Sequence, residues 1–348
     1  MARHASGVTV QPALGGQILG YDIDRNGTEG ILSEYVALGD GKNDVATEVF
    51  DQTTGKILKI VKEEKDSAND FVTYPVVGNG VGLVLYQKLG RDGLYKNIYQ
   101  LVDPLKKEKI SGTWKPRLGA SESIASVSED QGHRQTAVMT FDDSGNAQSK
   151  VFMTNVAGGT FGAEVTLNDS IFDFNDGPVM AFDTRTNAAV VAASIGCRSC
   201  GTEIALADLA HGTFSEFTGL GFGAVNGIAV DTAQGIACTT TEIDAGVEFY
   251  NLAQHTGFET AMAGASGQSN SGADVEYDPV NRLFLIGQPF SSTGSGSSVQ
   301  VFDTKGNFVE SIDGLSLPTS PALIALNPDT RTAFVVVALG TELQAFSY

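Results

Sequence analysis

A short pattern recurs along the whole of this 348-residue chain at an interval of about 49 residues. It consists of any residue, two apolar residues, and then Asp or Asn where a turn begins. The seven copies end at Asp51, Asp103, Asn155, Asp208, Asn251, Asp303 and Ser347, in steps of 52, 52, 53, 43, 52 and 44 residues. The third and seventh copies are degenerate, so the other five define the register. A repeat of this length is typical of chains built from stacked supersecondary units.

The residues around these copies predict β-hairpins. Five of the copies have a Gly three to six residues after the Asp or Asn, and Gly supplies the positive φ of a tight turn. A second series of turns lies at Asp183, Asp231, Asp278 and Asn327, 48, 47 and 49 residues apart. Each of these turns follows an alternating strand and precedes a mostly apolar one. One unit is therefore four antiparallel strands.

Seven such units predict an all-β fold, a seven-bladed β-propeller with four-stranded antiparallel blades. The seventh unit ends at Tyr348 after its third strand, which would leave the outer edge of that blade unpaired. Residues 6–14, SGVTVQPAL, alternate and are expected to supply the missing strand and close the ring; a disordered tail is the alternative. Repeats contact only their neighbours, so we expect residues 1–348 to form a single domain.

Blades six and seven carry motifs that resemble repeats of the NHL and YVTN types. The motifs are VEYDPVNRLFLIGQPF, with its Asp-Pro-x-Asn-Arg turn, and SSVQVFDTKGNFVESI, with its Val-x-Val-Phe-Asp hairpin. The likeness is clear over residues 176–348 and faint over the first 150. This resemblance implies a propeller and says little about activity, because one fold hosts many functions.

The charge of the chain is strongly acidic, with 22 Lys and Arg against 41 Asp and Glu and a net charge of −19. From residue 176 onward there are 5 basic and 18 acidic residues. Nucleic acid and anionic membranes are disfavoured as partners because binding them requires neutralising phosphates. No apolar run approaches the 18 residues of a membrane span. The charge serves solubility, or else it attracts a cationic ligand or a basic protein.

The stretch DIDRNGTEG is a candidate calcium loop. Asp22, Asp24 and Asn26 place oxygen ligands at alternate positions, and Gly27 occupies the sixth place for a sharp turn. The loop resembles the Asp-x-Asp-x-Asp-Gly loops of integrin-type propellers, although Gly30 stands where that family has an Asp. An Asx-rich turn without an ion is the alternative.

A second candidate site depends on position rather than on a contiguous motif. Polar residues begin the innermost strands, and these strands line the central channel of a propeller: Asp70, Glu122, Asn175, Asp176, Asn226 and Asp274. We expect them to form an acidic channel mouth for a small polar or cationic ligand or for a protein. The alternative is that they cap strand starts and face solvent.

The channel-mouth arrangement also resembles gluconolactonase-like and strictosidine-synthase-like propellers. That resemblance implies a metal-assisted hydrolase or lyase using Glu122, Asn175, Asn226 and Asp274. Three function hypotheses follow: a binding propeller, this enzyme, and a surface or adhesion module rigidified by calcium. The four His are scattered, and no GxSxG motif supports Ser-His-Asp hydrolysis.

Cysteine usage bears on the compartment. Cys197 and Cys200 are expected to form a disulfide within one loop if the protein is extracytoplasmic, and Cys238 is expected to be a buried thiol. The start MARHASGVTV lacks the apolar segment of a signal peptide. A secreted or periplasmic location after signal removal is favoured, with a cytoplasmic one as the alternative. A monomer is expected.

Overall fold

The computed structural model describes most of the chain. The described residues are 5–25, 27–39, 42–68, 76–78, 81–89, 95–110, 122–130, 135–142, 149–155, 160–167, 179–194, 201–241, 246–262, 274–288, 297–315, 324–337 and 340–348. They contain strands and turns, and no helix among them is long and apolar enough to cross a membrane.

The described residues form 28 strands, the first of which, β1 (Ala5–Val10), precedes blade 1. Blade 1 contains β2 (Gln17–Ile23), β3 (Glu29–Gly39), β4 (Lys42–Asp51) and β5 (Ile57–Ala68). Blade 2 contains β6 (Val76–Gly78), β7 (Val81–Leu89), β8 (Tyr95–Asp103) and β9 (Glu108–Lys109). Blade 3 contains β10 (Glu122–Asp130), β11 (Gln135–Asp142), β12 (Ser149–Asn155) and β13 (Thr160–Thr166).

The remaining blades follow the same order. Blade 4 contains β14 (Val179–Asp183), β15 (Ala188–Ser194), β16 (Gly201–Asp208) and β17 (Thr213–Phe222). Blade 5 contains β18 (Val225–Asp231), β19 (Ile236–Thr241), β20 (Gly246–Asn251) and β21 (Thr256–Ala261). Blade 6 contains β22 (Asp274–Asp278), β23 (Leu283–Gln288), β24 (Ser297–Asp303) and β25 (Phe308–Leu315). Blade 7 contains β26 (Ile324–Asn327), β27 (Thr332–Val337) and β28 (Glu342–Ser347), and β1 is its fourth strand.

Seven antiparallel sheets of four strands, in this order, confirm the predicted seven-bladed β-propeller. The blades group into two compact units, and each is described by itself. Blades 1 and 2 and blade 7 from Ala325 onward belong to one unit, and blades 3 to 6 together with Ile324, the first residue of β26, belong to the other. The prediction of a single domain over residues 1–348 stays a prediction.

In the first unit, the N-terminal strand completes the last blade, as predicted. β1 pairs antiparallel with β28, with Thr9 opposite Gln344 and Val10 opposite Leu343. Val10 and Leu343 are fully buried. Gly55, in the last hairpin of blade 1, lies so close to β1 that any side chain there would collide with the carbonyl oxygen of Thr9. The added strand is therefore packed on two sides.

Blades 7 and 1 are joined by their apolar faces and by side-chain hydrogen bonds. The rings of Phe50 and Phe334 meet edge-on with centroids 5.8 Å apart. The hydroxyl of Tyr21 donates to the backbone oxygen of Phe334 at 2.7 Å. Because a tyrosine hydroxyl is costly to bury without a partner, this bond favours the observed packing of the two sheets.

In the second unit, alternating residues of each strand face the two neighbouring blades. Phe182 packs towards blade 3 with Met139 and Val165, whereas the adjacent Ala181 packs towards blade 5 with Val230. Phe249, Phe284 and Phe302 form the aromatic core between blades 5 and 6. The two-residue period of a strand therefore builds one core on each face of every sheet.

The predicted hairpin turns within the described residues are confirmed, with one correction, and the turn after Asn155 lies outside the described residues. Asp231 is fully buried, and its Oδ1 accepts hydrogen bonds from the backbone N–H groups of Ala233 and Gln234. In the turn after Asn251, the residue with positive φ is His255, at 54°, and not the expected Gly257. The imidazole of His255 stacks on Phe217 of blade 4, with ring centroids 4.8 Å apart. That contact holds the strained residue in place.

The closure of blade 7 by β1 predicts opposite outcomes for two adjacent substitutions. Val10→Ala removes buried methyl groups and should lower the free energy of unfolding by about 2 kcal/mol. Thr9→Ala, at an exposed site, should change it by no more than about 0.5 kcal/mol. Denaturant unfolding of the full chain measures both. Equal, negligible effects would mean that residues 5–10 are a tail rather than a strand.

Candidate functional site

The predicted channel-mouth residues are only partly within the described chain. Glu122 begins β10, Asn226 is the second residue of β18, and Asp274 begins β22, so these three lie at the starts of innermost strands as predicted. Asp70, Asn175 and Asp176 lie outside the described residues. Whether the whole set converges on one mouth is untested.

Asp274 is the most constrained of these residues. Its Oδ1 accepts a hydrogen bond from the N–H of Val275 at 2.9 Å, and its Oδ2 accepts one from the N–H of Ile324 at 2.7 Å. Burial raises the pKa of this carboxyl to about 7, although the two backbone N–H groups act in the opposite direction. Asp274 therefore ties the start of β22 to Ile324, the first residue of β26.

The backbone around Asp274 is tightly packed. A side chain at Gly227, next to Asn226 in β18, would lie 2.6 Å from the backbone nitrogen of Val275 and 2.9 Å from the Cα of Asp274. The innermost strands β18 and β22 therefore approach each other closely beside Asn226 and Asp274. Asn226 and Asp274 are thus on adjacent strands of neighbouring blades.

The predicted calcium loop is stabilised by hydrogen bonds within the protein. The backbone N–H of Asp24 donates to the oxygen of Glu29 at 2.9 Å, and the Gln52 amide donates to the backbone oxygens of both residues at 2.8 Å. Asp22 Oδ1 accepts from the N–H of Ile23. Asn26 lies outside the described residues. Among the residues that the structure does describe, no group of three or more His, Cys, Asp or Glu is arranged to hold a metal. Calcium binding stays a prediction.

Of the two cysteine predictions, one is confirmed and the other concerns residues outside the described ones. Cys238 is a free, fully buried thiol in the core between blades 5 and 6, as predicted. Burial raises its pKa well above the usual value, and the Glu248 carboxylate acts in the same direction. Cys197 and Cys200 lie outside the described residues, so their disulfide stays a prediction.

A pair of buried glutamates in blade 1 was missed by the sequence reasoning. Glu34 and Glu48 are fully buried and hold the segment that leads from β1 into β2. The two oxygens of Glu34 accept the N–H groups of Leu14 and Gly16 at 2.8 and 2.9 Å. The N–H of Ala13 donates to the Glu48 carboxylate at 3.0 Å. The pair therefore fixes the connection that follows the closing strand.

The repeated pattern itself contained a signal for Glu48. Glu48 is the unspecified first residue of the repeated pattern, and the corresponding residue is Glu or Gln in five of the seven copies: Glu48, Gln100, Glu248, Gln300 and Gln344. Glu248 and Gln300 are also buried, bonded to Thr239 and Gln288. The third strand of a blade thus carries a recurrent Glu or Gln, which is buried in blades 1, 5 and 6.

The outer strands of blades 4, 5 and 6 expose large apolar side chains. We call β17, β21 and β25 together the outer-edge surface. Phe222 is 53% exposed, Phe258 44% and Phe308 45%, and Leu220 and Val309 are also exposed. Phe258 stacks on the buried Phe249 with centroids 5.2 Å apart. The Phe258 ring is therefore held in a fixed position while it faces solvent.

Comparisons with known proteins support the fold and leave the family open. No family model matches the chain, and no curated protein matches it. Solved structures do match, among them the crystal structure of RRP9 WD40 repeats, with a TM-score of 0.67 and 11% sequence identity over 100% of this chain and 99% of that one. At this identity the likeness shows the propeller fold alone. The NHL or YVTN character of the repeats is not shown by this match.

The buried carboxyls predict how stability depends on pH. Burial, together with the Glu34 carboxyl, raises the pKa of Glu48 to about 8, and burial raises that of Glu203 to about 7. A carboxyl with a raised pKa binds its proton more tightly when the chain is folded. Its effect is therefore to lower stability as pH rises from about 4.5, the usual value, to about 8. We expect the melting temperature to fall by several degrees over that range.

Glu48→Gln isolates the contribution of this pair. The amide can donate to Glu34 and accept from Ala13, so the variant should match the parent at pH 5 and melt higher than the parent at pH 9. Glu34→Gln is the matched control and should be destabilised at both pH values, because both oxygens of Glu34 already accept N–H groups. If the melting temperatures of the parent and Glu48→Gln changed in parallel across this range, the raised pKa of Glu48 would be refuted.

Proposed function

We propose that this chain is a protein-binding β-propeller that holds its partner through side chains exposed on its blades. The observation that carries the proposal is the outer-edge surface, where Phe222, Phe258 and Phe308 are exposed on three consecutive blades. Soluble monomers rarely expose large contiguous apolar patches unless these bind something. The similarity to a WD40-repeat propeller along the full chain agrees with a binding role.

The exposed rings are already ordered, which favours binding. Phe308 meets the buried Phe302 edge-on at 5.8 Å, and Phe258 is stacked on Phe249. Covering rings that are already ordered costs less conformational entropy than covering rings that binding must first order. Aromatic side chains are also enriched among residues that dominate binding energy. A monomeric state and an extracytoplasmic location are further parts of this proposal.

Affinity capture followed by reconstitution with the purified partner tests the proposal. The double variant Phe222→Ser, Phe308→Ser should weaken partner binding at least about tenfold, since each buried aromatic contact contributes 1 kcal/mol or more. Leu105→Ser, a 70% exposed site in the last hairpin of blade 2, is the matched control and should bind like the parent. No specific partner, or equal binding by the double variant, would contradict the proposal.

A second candidate is a ligand site at the channel mouth, favoured by the raised pKa of Asp274. A carboxyl that titrates near pH 7 is suited to acid or base chemistry, as the metal-assisted hydrolase or lyase hypothesis requires. Both of its oxygens already accept backbone N–H groups, however, which favours a positioning role over proton transfer. An acidic mouth that binds a cation or polyol through Asn226 and Glu122 remains part of this candidate.

Calcium addition to chelator-treated protein distinguishes the cation-dependent candidates. If the ion binds the folded chain, calcium at 100 times its Kd should raise stability by about 2.7 kcal/mol and the melting temperature by several degrees. Asp24→Asn should abolish the rise if the ion binds the blade 1 loop, and Glu122→Gln if it binds the mouth. If calcium did not change the melting temperature of the parent, both cation-dependent candidates would be contradicted and only the protein-binding proposal would remain.

A further inference from the structure

The last strand of blade 4 ends in glycines that alternate with large apolar residues. The segment reads Gly219-Leu220-Gly221-Phe222-Gly223. Gly221 and Gly223 are buried and Gly219 is partly buried, whereas Leu220 and Phe222 are exposed. Because successive residues of a strand point to opposite faces, the glycines face the protein and the two large side chains face solvent.

Buried polar side chains of blades 4 and 5 explain why the inward positions are glycines. A Cβ at Gly219 would lie 2.2 Å from Thr202 Oγ1 and 3.1 Å from the hydroxyl oxygen of Tyr250. A Cβ at Gly221 would lie 2.8 Å from Glu248 Oε1. Neither position has room for a side chain, so the segment fits here only with its apolar residues outward.

A hydrogen bond holds the same segment in place. The backbone N–H of Leu220 donates to the hydroxyl oxygen of Tyr250 at 2.9 Å. The pairing of β17 with β16 is also irregular between Gly201 and Glu203. β17 therefore does not offer a continuous edge to an added strand, but it holds Leu220 in a fixed position on the surface.

The exposed apolar side chains continue onto blades 5 and 6. A Cβ at Gly257 would lie 3.1 Å from Leu220 Cδ1, so the leucine lies against β21. Phe258 of β21 lies over Gly306, in the turn before β25, where a Cβ would be 2.5 Å from its ring. Phe308 begins β25 and is exposed. This apolar path thus crosses the outer strands of three blades instead of following one of them.

The strands that carry the apolar path are negatively charged. Glu259 of β21 and Asp313 of β25 are exposed, and Glu310 of β25 is partly exposed. No ion pair among the described residues neutralises Glu259 or Glu310. Lys305 is the only Lys or Arg in the three strands and the turns that precede them. Coulomb attraction therefore favours a basic partner segment, and an acidic one is repelled.

The apolar path also limits the backbone conformation of an occupant. An added strand follows one edge and takes its hydrogen bonds from it, and the bond to Tyr250 and the irregular pairing of β17 leave no continuous edge in blade 4. A segment that crosses from blade to blade contacts side chains instead. An α-helix makes its backbone hydrogen bonds internally and presents one apolar stripe, so it meets both conditions.

We propose that the outer-edge surface binds a basic amphipathic helix of the partner protein, whose apolar stripe contacts Leu220, Phe258 and Phe308. This inference rests on the proposed function and specifies its partner. The Lys and Arg residues that flank the stripe are attracted by the carboxylates of Glu259 and Glu310. The same negative charge disfavours nucleic acid, anionic membranes and a second copy of this acidic chain.

The probe is the amphipathic peptide acetyl-Leu-Lys-Lys-Leu-Leu-Lys-Leu-Leu-Lys-Lys-Leu-Leu-Lys-Leu-amide, titrated into the full chain by calorimetry. The peptide should bind and gain helical signal in circular dichroism, which is distinct from the signal of the β-strands that the structure describes. The double variant Leu220→Ser, Phe258→Ser should weaken binding at least about tenfold. Leu105→Ser, in the last hairpin of blade 2, is the matched control and should bind like the parent.

Tyr250 does not contact the helix in this proposal; it is a positioning residue that acts through Leu220. Tyr250→Phe removes the acceptor of the Leu220 N–H and should weaken peptide binding about threefold or more. In the Leu220→Ser background the same change should have no further effect, because the side chain that it positions is gone. Equal weakening in both backgrounds would show that Tyr250 has a merely structural role.

The proposal is overturned by equal affinity of the parent for the counterpart peptide with Glu in place of Lys, or by equal affinity of the double variant and Leu105→Ser for the Lys peptide. It is also overturned if the peptide binds without gaining helical signal, or if the strand-forming peptide acetyl-Leu-Lys-Leu-Lys-Leu-Lys-Leu-amide binds as tightly. If the peptide does not bind while a protein partner is still captured through Phe222 and Phe308, the helix inference is wrong and the proposed function stands. If neither binds, both are wrong.

Discussion

The antiparallel pairing of β1 with β28 is the interaction on which the first unit depends. It joins the two ends of the chain within one sheet, and the blade would otherwise keep three strands and an open edge. The pairing is supported from both sides, by Gly55 against the β1 backbone and by the glutamate pair that holds residues 13–16. Closure is thus built from packing, backbone pairing and buried polar contacts together.

Carboxyl groups in this protein hold the connections that enter two of the innermost strands, β2 and β26. Glu34 and Glu48 bind backbone N–H groups of the segment before β2, and Asp274 binds the N–H at the start of β26. Burial raises the pKa of Glu48 and Asp274, and the backbone donors offset part of that effect. An acidic composition therefore serves the interior as well as the surface.

The propeller resembles a WD40-repeat structure over its full length, yet the fold does not settle what it binds. The features that bear on binding are local. The exposed rings of Phe258 on blade 5 and Phe308 on blade 6 pack against buried rings beneath them, and Phe222 is exposed on blade 4. Such a surface is costly to leave exposed, which is the physical reason to assign it to a partner.

The sequence by itself determined the blade count, the strand order and the closing strand, because a 49-residue period and the two-residue alternation of strands leave few other arrangements. It also placed Glu122, Asn226 and Asp274 at strand starts. Only the tertiary structure decided the role of Asp274, since its partner at Ile324 lies 50 residues away. The pairing of Glu34 with Glu48 and the contact of Phe258 with Gly306 likewise depend on strands and blades packing side by side, which no local pattern encodes.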